Sequence, residues 1–135
     1  MTDARFQPPP LPANEQERLD ALSGLSILDS PPEKEFDTVV QLAKSLCKVS
    51  IALISLIDQD RQWFKARCGL EVQETERAIS FCGHAILQHE IFEVPDARLD
   101  DRFADNPLVT GAPFIRFYAG VPLISKSGHC YGTLC

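Results

Sequence analysis

The chain has 135 residues, 44% of them hydrophobic, and its 13 basic and 19 acidic side chains give a net charge of −6. This length suits one domain built around one core, and the negative charge disfavours nucleic acids and anionic membrane surfaces as partners. The longest apolar run, at 49–57, is far shorter than the roughly 20 residues of a membrane-spanning helix. The N-terminus has no apolar core of signal-peptide length, so we expect a cytoplasmic protein without a membrane segment.

Two helices are predicted after a proline-rich start. Residues 1–12 contain four prolines and little apolar content, which predicts a flexible leader before a domain at 13–135. Asn14 and Glu17 have the spacing of a capping box and predict a helix at 15–24. Ser30 repeats this pattern, so the second helix is predicted to begin there with Pro31 at its first position. The apolar side chains of this second helix recur with a period of 3.6 residues: Phe36, Val39, Val40, Ala43, Leu46 and Cys47.

The rest of the chain predicts five strands, one short helix and one irregular segment. Residues 49–57 are rich in β-branched side chains and apolar on both faces, as in a central strand covered on two sides. A short polar turn follows, so this strand and the next are predicted to form an antiparallel hairpin. Ser80 can cap a short helix that ends near residue 88. The other predicted elements are strands at 62–68 and 91–94, a loop with one or two helical turns at 96–114, and strands at 117–124 and 129–135 joined by a turn at 125–128.

The five cysteines favour a reducing compartment over a disulfide framework. Their number is odd, their spacing is irregular and no two of them form a CxxC pair. No metal site is predicted, because zinc sites depend on such spacing. We interpret most of these cysteines as small core residues.

The order of elements predicts an α+β fold, an α/β/α sandwich. Seven short motifs narrow that class: NEQERL at 14–19, ILDSPPE at 27–33, DQDRQWFK at 58–65, SFCGHAI at 80–86, DNPLV at 105–109, RFYAGVPL at 116–123 and GTLC at 132–135. In this order they resemble the GAF domain found at the N-terminus of bacterial sensor histidine kinases and diguanylate cyclases. The resemblance extends from about residue 14 to the end of the chain.

This resemblance implies a central antiparallel sheet of five or six strands with helices on both faces. It also implies a signalling output, a histidine kinase or a diguanylate cyclase, encoded after Cys135. The last predicted strand ends without a polar cap to protect a sheet edge, so we expect a fragment of a longer domain.

A small ligand usually sits between the sheet and the irregular segment in such domains. The resemblance therefore places six residues near a candidate pocket: Phe81, Cys82, His84, Asp96, Arg116 and Tyr118. The Cys-His dipeptide of the bilin-attaching relatives is absent, because Gly83 separates Cys82 from His84. Covalent bilin attachment is therefore disfavoured, and neither another cofactor nor the ligand's identity is assigned.

Cys82 and His84 admit two interpretations. A histidine can lower the pKa of a thiol and prepare it as a nucleophile, but residues two apart on a helix point about 200° from each other. We therefore favour a buried Cys82 and a His84 bonded to the backbone, and keep a redox or ligand role as the alternative. Cys135 could approach Cys82 if its strand lies under the short helix.

Two further sets of side chains admit both a binding and a structural interpretation. Arg116 and Tyr118 are two apart on a predicted strand, so they share a face on which they could hold an anionic or planar ligand. The alternative pairs Arg116 with a nearby carboxylate of the irregular segment, Asp96, Asp101 or Asp105. The alternating Trp63, Lys65 and Arg67 are predicted to lie on a solvated edge or a contact surface.

The function that these patterns favour is a regulatory module rather than an enzyme, because no catalytic constellation stands out in the sequence. The module would bind a small molecule or form a homodimer through its first helix, and would bias a downstream output. The alternative is a thiol-based reductase of free methionine sulfoxide, which shares this fold. A dimerisation scaffold with an unused pocket is a third possibility.

Overall fold

The computed structural model describes residues 6–135, so the part of the predicted leader at 1–5 lies outside the described residues. Its centre is a six-stranded sheet in the spatial order β3-β2-β1-β6-β5-β4, in which every neighbouring pair is antiparallel. The strands are β1 (Ala52–Ile57), β2 (Arg61–Cys68), β3 (Glu74–Glu76), β4 (Phe92–Val94), β5 (Tyr118–Ile124) and β6 (Cys130–Leu134). The predicted fold class, an antiparallel sheet of five to six strands with helices, is confirmed.

Four α-helices flank the sheet: α1 (Glu15–Gly24), α2 (Lys34–Cys47), α3 (Cys82–Ala85) and α4 (Pro107–Thr110). Single 3₁₀ turns occupy Arg77–Ile79 and Ala97–Leu99. The second of these lies in the irregular segment, where helical turns were predicted. Side chains of β1 alternate between two faces, and Ile54 packs with Val40 of α2 whereas Ile57 packs with the residues of α3. Helices therefore cover both faces of the sheet. Among the described residues, no helix is long and apolar enough to cross a membrane.

Two of the three predicted helix caps are not formed, whereas the Ser80 hydroxyl accepts from Gly83 N at 3.0 Å at the start of α3. The first helix has the predicted bounds, but the Asn14 side chain makes no capping hydrogen bond and Glu17 is largely exposed. The second helix begins at Lys34 rather than near Ser30. The Ser30 hydroxyl instead donates to Ile27 O and accepts from Lys65 Nζ at 2.7 Å, so a tertiary contact replaces the predicted cap.

The predicted apolar face of α2 is only partly buried. Val40 is fully buried and Phe36 and Ala43 pack beside it, against Ala52, Ile54 and Ala66 of the sheet. Val39 and Leu46 are exposed although they belong to the predicted face. Only a narrow stripe of α2 contacts the sheet. The 3.6-residue period of its apolar residues therefore overestimates how many of them are buried.

The prediction of a solvated surface on β2 is wrong for two of its three residues. Trp63 and Lys65 are each 3% exposed, whereas Arg67 is exposed as predicted. This face of β2 is covered by α1, since Trp63 packs with Leu22 of that helix. The ammonium of Lys65 is held 2.7 Å from both Pro31 O and a carboxylate oxygen of Glu33.

A buried arginine that the sequence did not single out fixes α1 to the sheet. Arg18 is 1% exposed, and its Nη1 donates to Ile57 O at 2.7 Å and to Cys130 O at 3.3 Å. Its remaining nitrogens pair with Glu15, which also accepts from Arg77 at 2.6 Å. The cluster of Glu15 with two arginines thus joins α1 to the end of β1, to β6 and to the 3₁₀ turn at Arg77–Ile79.

The two ends of the described chain also differ from prediction. Residues 6–12 have no helix or strand, but they are not free of contacts: Gln7 N donates to Arg102 O at 3.0 Å, and Pro9 lies against Gly83. At the other end β6 is paired on both sides, by β1 and β5, so it is no sheet edge. The backbone of Cys135 continues the pairing with two hydrogen bonds: its N–H donates to Leu53 O, and its carbonyl oxygen accepts from Leu53 N.

Candidate functional site

A thiol cluster lies where α3 packs on the central strands. Cys82, the first residue of α3, is 2% exposed, and its sulfur lies 3.0 Å from the hydroxyl of Tyr118 on β5. The Thr133 hydroxyl on β6 donates to the same sulfur at 3.0 Å. The sulfurs of Cys82 and Cys135 are 3.6 Å apart, and the Ser55 hydroxyl is 3.8 Å from Cys135 Sγ. We call Ser55, Cys82, Tyr118, Thr133 and Cys135 the thiol cluster.

The cluster favours ionisation of one sulfur. Burial opposes a charge on Cys82, but hydrogen bonds from Cys135, Thr133 and Tyr118 outweigh it and lower the pKa of Cys82 to about 7. The hydrogen bond to Cys82, together with burial, raises the pKa of Cys135 well above its ordinary value. Burial and the charge on Cys82 likewise raise the pKa of Tyr118. The pair can therefore hold one negative charge, with Cys135 remaining the proton donor.

Aromatic rings fill the space beside the thiol cluster. Phe81 stacks on Phe103 with ring centroids 4.1 Å apart, and its ring is 5.2 Å from that of Tyr118. Phe92 closes the group, with its centroid 6.2 Å from Phe103. The predicted pocket residues Phe81, Cys82 and Tyr118 thus meet in one packed core in this structure.

His84 lies on the other side of α3 from the thiol cluster. Its Nε2 is 2.9 Å from Gln7 O, and its ring makes an edge contact with Phe103. Burial lowers the pKa of His84, so the neutral ring donates its Nε2 hydrogen to that carbonyl. This is the arrangement that we favoured from the two-residue spacing: a buried cysteine and a histidine bonded to the backbone.

The two remaining candidates, Asp96 and Arg116, lie outside this core. Asp96 caps the 3₁₀ turn that follows it and pairs with Arg98 at 2.8 Å. Arg116 is exposed, precedes β5, and donates to Val109 O and to its neighbour Ile115 O. Arg116 and Tyr118 therefore do not share a ligand face, because β5 begins only at Tyr118. Arg116 pins the irregular segment through the carbonyl of Val109, and its charge also helps to lower the pKa of Asp96, one of the predicted carboxylates.

Sequence reasoning missed Ser55, Thr133 and Phe103 as members of this region. Ser55 and Thr133 are both fully buried, and each interrupts an otherwise apolar strand. A hydroxyl inside a buried strand needs a partner, so this interruption was the available signal. Phe103 stood in a segment assigned to loop and carried no comparable signal.

Two cavities open elsewhere on the described surface. One of about 430 Å³ is bordered by Pro8, Pro9, Leu11, Gln59, Asp60, Glu76, Arg77 and Ala78. Another of about 350 Å³ lies between α2 and β2. Residues 6–135 contain no group of three or more His, Cys, Asp and Glu side chains placed to hold a metal ion. None of the six predicted pocket residues borders either cavity.

Replacing Thr133 by valine is expected to raise the pKa of Cys82 from about 7 towards the value of about 8.5 of an ordinary thiol. Valine keeps the branched shape but removes the hydroxyl that stabilises the thiolate. The measurement is the thiolate absorbance followed between pH 5 and 10 (about the range of thiol titration), with Thr75→Val on β3 as the control. An unchanged titration of Cys82 would show that Thr133 does not stabilise its charge.

The sheet flanked by helices on both faces defines an α/β/α sandwich. The family model for the GAF domain matches residues 31–135, and this chain belongs to that family. The family resemblance found in the sequence motifs is thereby confirmed.

Among known proteins, a cyclic di-GMP phosphodiesterase of Pseudomonas aeruginosa is 46% identical to this chain over 127 residues, which cover 94% of the chain. The chain spans 22% of the length of that relative.

Solved structures share the fold at low sequence identity. The GAF domain of a phosphoenolpyruvate-protein phosphotransferase from Acinetobacter has a TM-score of 0.57 at 20% identity, over 99% of this chain and 76% of that one. A type II free methionine-R-sulfoxide reductase from Thermoplasma acidophilum has a TM-score of 0.60 at 15% identity, over 84% of this chain and 74% of that one. The same sandwich therefore occurs both in a domain of a phosphoenolpyruvate-protein phosphotransferase and in a reductase, so the fold alone does not decide between regulation and catalysis.

Proposed function

We propose that this chain is the regulatory GAF domain of a protein that hydrolyses cyclic di-GMP. The observation that carries the proposal is the 46% identity over nearly the whole chain to a cyclic di-GMP phosphodiesterase. Because the relative is named a phosphodiesterase, we propose that output rather than the histidine kinase or diguanylate cyclase that the motifs imply. In this proposal the domain senses and the hydrolysis takes place in another part of the protein.

The test is hydrolysis of cyclic di-GMP by the full-length protein, with and without residues 1–135. A regulatory domain is expected to change the rate at least about fivefold, which corresponds to a coupling free energy at the lower end of the usual range. No hydrolysis by the intact protein would overturn the proposed output. An equal rate with and without the domain would overturn its regulatory role.

A point variant guards against a deletion that merely unfolds its neighbour. Tyr118→Phe keeps the ring in the aromatic core and removes the hydroxyl 3.0 Å from Cys82. Tyr131→Phe on β6 is the matched control, since its ring is only partly buried and packs beside α1. A regulatory role for the core predicts a changed rate for the first variant and an unchanged rate for the second.

The proposal includes a small-molecule ligand, a homodimer and a cytoplasmic location. All five cysteines are free thiols, which suits a reducing compartment. The aromatic core beside α3 is tightly packed, so a ligand at the predicted residues would have to displace the segment at 6–9 or reorient Phe81. Native mass spectrometry of the full-length protein tests ligand and dimer together, because it reports both bound mass and subunit number.

A second candidate function is a thiol-based reductase of free methionine sulfoxide. The close pair of sulfurs at Cys82 and Cys135 favours it, since such a reaction needs two cysteines that can form a disulfide. The test is loss of thiols that depends on methionine sulfoxide. Oxidation that requires this substrate and disappears in Cys82→Ser would establish the reductase in place of the regulator.

A further inference from the structure

We propose that Cys82 and Cys135 are a peroxide-sensitive pair that forms a reversible intramolecular disulfide. The two residues are 53 positions apart in sequence, yet their sulfurs are 3.6 Å apart. The inference goes beyond the regulatory proposal, because it concerns the thiols alone and holds whichever output the protein controls.

The fold holds the two sulfurs in contact. Cys82 opens α3, which packs on β6 and β5, and Cys135 follows β6 in backbone pairing with Leu53. A disulfide has an S–S length of about 2.05 Å, so the sulfurs need to approach by less than the width of one atom. The sulfur of the exposed Cys47 makes no such contact with another cysteine, so Cys82 and Cys135 have a partner that Cys47 lacks.

The environment of Cys82 stabilises its thiolate, which is the nucleophile. Hydroxyl groups of Thr133 and Tyr118 both lie 3.0 Å from its sulfur and stabilise a negative charge there. A thiolate is the reactive form of cysteine towards oxidants, whereas the thiol is inert. Cys135 keeps its proton while Cys82 is charged, so the two sulfurs have different roles.

The burial of Cys82 favours a small oxidant. Cys82 is 2% exposed, whereas Cys135 is half-buried beside it. A sulfur as buried as that of Cys82 is reached more readily by a small oxidant such as hydrogen peroxide than by a bulky disulfide.

The reaction balances with one peroxide. The Cys82 thiolate attacks one peroxide oxygen, the O–O bond breaks, and a sulfenic acid forms while the second oxygen leaves as water after taking a proton. The Cys135 sulfur then attacks the sulfenic sulfur, the S–O bond breaks, and a second water leaves with the Cys135 proton. Two thiols are oxidised by two electrons in total, and a dithiol reductant reverses the step.

The bond would change the interior of the domain. It would join α3 covalently to the end of β6 and remove the charge that Thr133 and Tyr118 stabilise. Tyr118 also packs against Phe81, so the same change reaches the aromatic core. Oxidation is therefore connected to the region in which the family resemblance places the ligand.

The test is peptide mapping of the full-length protein after treatment with hydrogen peroxide and alkylation of the remaining thiols. We expect a peptide that contains Cys82 linked to one that contains Cys135, and its loss after dithiothreitol. Fragment ions assign the bond to Cys135 rather than to Cys130, which lies on the same tryptic peptide. The proposal would be overturned if Cys82 and Cys135 remained free thiols under conditions that oxidise Cys47.

Variants separate the roles of the two sulfurs. In Cys135→Ser the linked peptide should disappear and Cys82 should be found as a sulfenic acid, trapped by dimedone that is added together with denaturant, whereas Cys47→Ser should form the link normally. Thr133→Val should slow formation of the bond about tenfold at neutral pH, because less of Cys82 is then ionised. A link that persists in Cys135→Ser would contradict the assignment. Because the readout is a covalent bond, its failure leaves the proposed regulation of cyclic di-GMP hydrolysis untouched.

Discussion

Replacing Gly132 by alanine is expected to lower the free energy of unfolding by about 3 kcal/mol, the upper end of the usual cost of overpacking. Gly132 lies in β6 opposite Leu56 of β1 and Leu123 of β5. A Cβ atom there would lie 1.8 Å from Ser55 O and 2.8 Å from the Cα of Leu56. Both atoms belong to the backbone of a central strand, so neither can rotate away, and the β1–β6 pairing would have to open.

The measurement is urea unfolding. The midpoints report stability if the slope of the unfolding free energy against urea concentration is the same for the variant and the parent protein. Gly24→Ala is the matched control, since a Cβ on this last residue of α1 meets nothing within 4 Å. That variant is expected to be neutral or to gain up to about 0.5 kcal/mol, because alanine restricts the unfolded chain. A loss below about 1 kcal/mol in Gly132→Ala would show that the strands separate easily at this point.

Replacing Arg18 by methionine is expected to cost about 3 kcal/mol, the scale on which breaking a buried ion pair acts. Methionine keeps the unbranched stem but leaves Ile57 O and Cys130 O without their donor. Among the described residues, Glu15 then keeps Arg77 as the partner for its charge. Since α1 contacts β6 through this side chain, the helix is expected to loosen before the sheet does.

The same urea experiment tests this variant, and hydrogen exchange locates the loss. Glu17→Gln is the control, because Glu17 is on the same helix with 76% of its side chain exposed and should change stability by less than about 0.5 kcal/mol. Faster exchange confined to α1 fits the proposed role of Arg18. Exchange that is equally fast throughout the described chain would show that Arg18 supports the whole core instead.

Much of the fold was predictable because local patterns carry it. The first helix has the predicted bounds, and the alternation of β1 is that of a strand covered on both sides. The hairpin of β1 with β2 is also present, as are the short turns within the irregular segment. Periodicity and turn residues identify such elements without any knowledge of their neighbours.

The candidate site was predictable only in part. Cys82 could be selected as a buried residue near a helix start, and its possible approach to Cys135 followed from the order of the strands. Asp96 and Arg116 lie outside the packed core that holds Phe81, Cys82 and Tyr118, because the point at which β5 begins decides which side chains share a face. The predicted exposure of Lys65 was wrong for a related reason. A strand face with alternating basic side chains is solvated only if no helix or loop covers it.

The sequence by itself determined the family, the α+β class and most helices and strands, since each depends on residues close together in the chain. Only the tertiary structure decided what Arg18, Lys65, Thr133 and Cys135 do. Each of them has a partner between 34 and 112 positions away along the chain. A hydrogen bond or a sulfur contact across such a separation depends on the relative placement of whole elements, and that placement is set by the packing of the core as a unit.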